Sequence, residues 1–215
     1  MVLATGNRNK YDEFLELLPR GAVKNLIFAP ELPGDFMNMP EVEETGSTYV
    51  MNALLKALAW SAASGLSCLA DDSGLEVEAL EGRPGVRSAR VPTADGESFL
   101  SSDAERNRWL LACMDGRVDR RASFVAAVAL SVPGEWALVC EGACGGRLSA
   151  CEAGTHGFGY DPLFVPDGYN LSFGELPPYV KNRISHRARA VAALFDILTG
   201  RFNQEMEYAH TQYSF

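Results

Sequence analysis

Apolar and polar positions along this chain follow two periods, and the two periods alternate. Residues 2–5 read as a short strand, and 10–18 as an amphipathic helix with Phe14, Leu15, Leu17 and Leu18 apolar. A second short strand is expected over 26–29, followed by a Pro/Gly-punctuated loop over 30–40. The strongest helical pattern covers 47–64 and stops at Gly65, where glycine can take the left-handed conformation that ends helices. Strands are expected over 66–70 and 75–80, around a turn at Asp72, Ser73 and Gly74. A helix is expected over 98–114 and a strand pair over 122–132 and 136–141, joined by Pro133 and Gly134. A last amphipathic helix is expected over 185–198, and a loosely ordered C-terminal tail over 201–215. Strands interleaved with helices predict an α/β domain over 1–200, without internal repeat or linker.

Composition narrows the function classes. Hydrophobic residues make up 47% and charged residues 22%, the balance of a chain that buries a core. With 28 acidic and 19 basic residues the formal charge is −9, which argues against a nucleic-acid polymer as partner. A small anion held by a few local cations and a metal is still compatible with that charge. No stretch approaches the roughly 18 apolar residues of a membrane span, so no membrane partner is expected. Residues 1–5 carry no basic leader pattern, and the five cysteines have no scaffold spacing, so the expected home is the cytoplasm. Cys140, Cys144, Cys151 and His156 match no common zinc spacing and read as small buried residues.

Five segments concentrate chemistry. Thr5, Gly6, Asn7, Arg8, Asn9 and Lys10 lie between a strand and a helix, where free backbone N–H groups suit an anion. They lack the P-loop pattern, and an ordinary turn is the alternative. Glu43 and Glu44 precede the 47–64 helix, where acidic residues also serve as a solvated cap. Asn52 and Lys56, four apart, share a face of that helix. Asp71 and Asp72 close an apolar run, and carboxylates there are costly unless solvated, paired or metal-bound. The alternative is an Asp-Ser-Gly turn. Gly154, Gly157 and Gly159 interleave with Phe158, Tyr160 and Asp161, a poor core strand but a surface on which a flat base can stack. Lys181, His186 and Arg187 form the most basic patch of an acidic chain, and a fork of donors there suits a phosphate or a base carbonyl.

Taken together, TGNRNK, EETGSTYVMNALLKA, LADDSGLEVEALEGRPGVRSAR, GTHGFGYDPLFVP and VKNRISHRA resemble the Ham1/ITPase family of non-canonical purine NTP pyrophosphatases. The resemblance covers nearly the whole chain. It implies an α/β fold with a long curved mixed sheet flanked by helices, two lobes, a central active-site cleft and a homodimer. It also implies Mg²⁺-dependent cleavage of ITP, dITP and XTP to the monophosphate and pyrophosphate. By the same resemblance, Thr5 to Lys10 and Lys56 bind the triphosphate, and Glu43 and Asp72 hold Mg²⁺, with Asp72 activating water. Ser73, Phe158, Gly159, Tyr160, Asp161, Lys181, His186 and Arg187 contact the nucleotide. Adjacent residues face opposite sides, which leaves open the choice within Glu43/Glu44 and within Asp71/Asp72. His156 stands where relatives often carry glycine. Two rival readings are a nucleotide sensor without chemistry and a phosphohydrolase that removes the γ-phosphate.

Overall fold

A computed structural model describes residues 1–23, 26–32 and 42–200. The expected tail, 201–215, and residues 33–40 of the Pro/Gly loop lie outside the described residues. In chain order come β1 (Val2–Leu3), α1 (Arg8–Leu17), α2 (Arg20–Val23), β2 (Ile27–Phe28), α3 (Tyr49–Ser64), β3 (Cys68–Val77), α4 (Asp103–Cys113), β4 (Arg121–Val132), β5 (Trp136–Leu148), β6 (Phe164–Pro166), α5 (Pro178–Ile184) and α6 (His186–Leu198). The strands make one six-stranded sheet in the order β2-β1-β3-β4-β5-β6. β1 runs parallel to β2 and β3, and the remaining pairs are antiparallel, so the expected mixed α/β sheet flanked by helices is present.

The start and stop signals explain most helices. Asn7, Thr48, Ser102 and Ser185 cap α1, α3, α4 and α6 by accepting a backbone N–H three residues on. Gly65 ends α3 at φ +66°. α4 begins at Asp103, five residues later than expected, because the Ser102–Glu105 capping box sets its start. α5, with Pro178 in its first turn, was not expected.

The largest correction concerns β3. The expected turn at Asp72–Gly74 does not form, and one unbroken strand runs from Cys68 to Val77. Asp71, Asp72, Ser73 and Gly74 pair with Val128, Ala127, Ala126 and Val125 of β4. Local Asp-Ser-Gly turn chemistry yields to a ten-residue antiparallel ladder once the carboxylates find cations. β5 likewise continues to Leu148, past the expected end at 141, because Gly142, Gly145 and Gly146 pair with β4.

Two clusters share the long strands. Leu3, Phe14, Phe28, Leu69, Val128 and Leu194 gather β1–β4 against α1 and α6. Leu75, Leu110, Met114, Phe124, Phe164 and Phe173 gather the other ends of β3 and β4 against α4. On a third surface, Ala53 and Ala57 of α3 meet Ala70, Ala127 and Ala129, small residues that let the helix approach the sheet closely. Cys140 and Cys144 are buried on β5, but Cys151 is exposed, against expectation.

Candidate active site

A cleft open to solvent takes its lining from the loop before α1, the segment before α3, β3, the start of α4, the glycine–aromatic loop and the α5–α6 junction. Strand alternation on β3 divides its two carboxylates. Asp71 is buried in ion pairs: Lys10 Nζ lies 3.1 Å from Oδ1, and Arg187 donates to Oδ2 from Nε at 3.2 Å and from Nη2 at 3.0 Å. Burial favours its protonation, but Lys10, Arg187 and Lys56 outweigh that and hold Asp71 well below the usual carboxylate range.

Asp72 lines the cleft. Its Oδ2 accepts from Asn52 Nδ2 at 2.9 Å, while Oδ1 has only Lys56 Nζ at 3.7 Å. Burial raises its proton affinity, and Lys56 and Asn52 offset this only in part. The adjacent acidic wall is Glu44, whose Oε1 accepts from Lys56 Nζ at 2.5 Å and whose Oε2 pairs with Arg90. Glu43 is exposed and does not line this cleft. Lys56 also donates to the Asp71 carbonyl at 2.6 Å, so one ammonium ties α3, the segment before it and β3 together.

The other end of the cleft is built on Phe158. Gly157, at φ +72°, leaves room for the Asp161 carboxylate, whose Oδ2 would sit 2.0 Å from an added Cβ. That carboxylate accepts from Phe158 N at 2.8 Å and from Lys181 Nζ at 2.6 Å. Lys181 Nζ lies 5.0 Å from the Phe158 ring centroid and also donates to Glu13 at 2.5 Å. Arg187 donates to Glu13 and to Ser73 Oγ, with Cζ 5.8 Å from the same ring. Tyr160 is buried, its hydroxyl donating to Ser88 O at 3.0 Å. His186 stacks on Phe124 at 4.7 Å, and its Nδ1 is buried without a hydrogen-bond partner. Burial first, then Arg187 and Lys181, lower its pKa well below the ordinary value, which favours the neutral ring, with one N–H left to donate.

The anion loop is only partly in the cleft. Asn7 and Lys10 line it, whereas Thr5, Gly6, Arg8 and Asn9 do not. Arg8 turns outward, donating to Asp12 at 3.1 Å and Glu31 at 2.9 Å, because those carboxylates offer what a helix N-terminus denies a cation. Asn9 lines a neighbouring hollow behind Phe158, together with His156. Sequence reasoning missed Glu13, Asp103, Arg106 and Arg90. Glu13 follows Lys10 by one helical turn, a spacing that could have placed it on the same face.

A family model described as the Ham1 family matches residues 1–197. A dITP/XTP pyrophosphatase of Deinococcus radiodurans is 46% identical over 195 residues, covering 90% of this chain and 90% of the relative. One from Deinococcus deserti is 45% identical over 194 residues, covering 90% and 86%. The structure of a HAM1 protein from Coxiella burnetii superposes with a TM-score of 0.77 at 37% identity, covering 93% of this chain and 98% of that one. With a cleft built on ADDSGL, GFGYDP and ISHR and a family match over nearly its whole described length, the chain belongs to the Ham1 family.

Proposed function

We propose that this protein hydrolyses non-canonical purine nucleoside triphosphates, namely ITP, dITP and XTP, to the monophosphate and pyrophosphate. The observation that carries the reading is Asp72, a carboxylate of raised proton affinity with one oxygen free of hydrogen bonds, in a cleft that ends on an aromatic ring. The relatives named dITP/XTP pyrophosphatase support it.

The metal assignment is Mg²⁺, held by Asp72 and by Glu44 in place of the expected Glu43. The donor set fits a hard cation: two carboxylates on one cleft, all-oxygen chemistry, and room for waters and phosphate oxygens. Lys56 already stands beside both carboxylates, which marks the spot as one that favours positive charge. Bound there, Mg²⁺ would supply charge neutralisation for the phosphate oxygens and would make a nearby water easier to deprotonate. The chain supplies the rest. Lys10, Asn7 and the first amides of α1 face the phosphates, and Lys56 adds a second cation. Asp72 takes the proton of a water as its oxygen bonds to the α-phosphorus; the bond to the bridging oxygen breaks, and pyrophosphate leaves. Positioning and charge neutralisation account for most catalysis in such displacements.

The base end reads the edge of a purine by what its ion pairs leave over. Lys181 has three donors and uses two; Arg187 has five and uses four. One donor each is left for a 6-carbonyl, while Glu13 and Asp161 bring acceptors to the same cluster. A 6-amino group reverses that match.

Incubating a panel of (d)NTPs with Mg²⁺ and assaying pyrophosphate and orthophosphate separately tests the reading. Pyrophosphate from ITP, dITP and XTP, lost with EDTA, is expected. Orthophosphate as first product overturns it in favour of a γ-phosphohydrolase, and binding without turnover in favour of a sensor.

We read residues 1–200 as one two-lobed unit, because β3 and β4 contribute to both core clusters. A homodimer is supported by Met51, Leu55 and Leu58, an exposed apolar stripe along α3. Five free cysteines fit a cytoplasmic home, and a charge of −9 fits a small-molecule substrate, not a nucleic-acid polymer. No described helix is long and apolar enough to cross a membrane.

A further inference from the structure

Phe158 stands between two glycines of positive φ, Gly157 at +72° and Gly159 at +63°. Glycine loses more backbone freedom on ordering than any other residue, so a ring carried on such a segment has no local reason to keep one orientation. Two consecutive amides of that segment are nevertheless captured by carboxylates. Phe158 N donates to Asp161 Oδ2 at 2.8 Å, a bond inside the loop itself. Gly159 N donates to Asp103 Oδ2 at 2.7 Å, a bond across 56 residues to the first residue of α4.

Asp103 is in turn oriented. Its Oδ1 pairs with Arg106 one helical turn on, and Arg106 Nη1 donates to Leu100 O at 2.9 Å. The capping box of Ser102 and Glu105 fixes the backbone of that turn. Asp103 and Arg106 both line the cleft, and their ion pair is with each other.

We propose that Asp103 is a positioning residue for the nucleobase: by holding the Gly159 amide it fixes the face of Phe158 on which the base stacks. The inference rests on the reading of Phe158 as the stacking surface. A carboxylate accepting a backbone N–H makes one of the stronger hydrogen bonds, and here it couples α4 to the loop. Through this bond α4 becomes part of substrate affinity.

The test uses IMP, a product of the proposed reaction, as probe, with binding measured by calorimetry without Mg²⁺ so that neither metal nor turnover enters. Phe158→Ala is expected to weaken IMP by about 5–150-fold. Asp103→Ala is expected to weaken it by about 5–50-fold, and the double variant by no more than about twofold beyond Phe158→Ala, because coupled residues do not add. Asp103→Asn keeps an acceptor of the same length and is expected to bind within about threefold of the parent. In steady state, Asp103→Ala is expected to raise KM far more than it lowers kcat.

Unchanged IMP affinity in Asp103→Ala, with Phe158→Ala weakened, overturns the positioning role while leaving the stacking reading in place. Losses that multiply in the double variant overturn it too, since Asp103 would then act independently of the ring. Unchanged affinity in Phe158→Ala overturns the stacking reading and the inference with it. Should Asp103→Ala fail to fold, Asp103→Ser, with its shorter side chain and no carboxylate, carries the same comparison, and Asp103→Asn stays the conservative control.

Discussion

Lys56 Nζ lies 2.5 Å from Glu44 Oε1 and 3.7 Å from Asp72 Oδ1, so a single ammonium on α3 bridges carboxylates from two separate segments. Its position explains why two acids can face one cleft at bearable cost, since buried carboxylates require a paired charge. It also explains the different fates of the neighbouring aspartates. Asp71 is spent on Lys10 and Arg187, and Asp72 keeps an oxygen for chemistry.

Asp72→Asn is expected to keep the fold and nucleotide binding while lowering kcat by ~10²–10⁴-fold, the usual cost of losing a general base. Steady-state kinetics at saturating Mg²⁺ and ITP, with circular dichroism as the folding control, check this. Turnover within a few-fold of the parent removes Asp72 from the role of base.

Glu44→Gln is expected to raise the Mg²⁺ concentration needed for half-maximal rate by ~10–100-fold or more, a range typical of disturbing a metal's surroundings. Glu43→Gln, at an exposed position outside the cleft, is expected to leave it nearly unchanged. Mg²⁺ titrations of the two variants side by side decide between them, and the reverse order restores Glu43.

Catalytic efficiency is expected to favour ITP and XTP over ATP by up to ~10⁴-fold, because pocket groups left unpaired reject an analogue strongly. The donors left over on Lys181 and Arg187 can donate to a 6-carbonyl and oppose the donors of a 6-amino group. Equal efficiencies for ITP and ATP would show that these cations serve phosphate instead.

His186 gives a pH signature. Its folded pKa is lowered by burial and by Arg187 and Lys181, while the unfolded chain titrates near the ordinary ~6.5. As pH falls below that value the unfolded state takes up a proton that the folded state refuses, so stability is present above it and lost below. The loss approaches ~1.4 kcal/mol per pH unit. Chemical denaturation at pH 7, 6 and 5 is expected to show a steeper fall for the parent than for His186→Gln. Parallel slopes would mean that His186 titrates alike in both states.

Leu55→Glu, on the exposed stripe of α3, is expected to shift the protein toward monomer in light scattering without loss of fold, since a charge in an apolar interface is uncompensated. A monomeric parent, or a dimer indifferent to the change, removes this face as the interface.

The local periods along the chain determined where α1, α3, β4 and α6 form, because capping residues, Gly65 and apolar spacing act within one or two turns. The motifs alone also marked the segments that meet in the cleft. Only the tertiary structure decided what each carboxylate pairs with. The turn expected at Asp72 became the middle of β3 because β4 offered ten partners, and strand alternation then sent Asp71 and Asp72 to different cations. Glu44 lines the cleft and Glu43 does not, because Lys56 and Arg90, from two other segments, reach Glu44. Glu13 stayed hidden because its partner Arg187 is 174 residues away, and Asp103 because Gly159 is 56 away. Capping and periodicity are short-range and legible from neighbours in the chain; ion pairing depends on distances that exist only after the sheet has brought remote segments together.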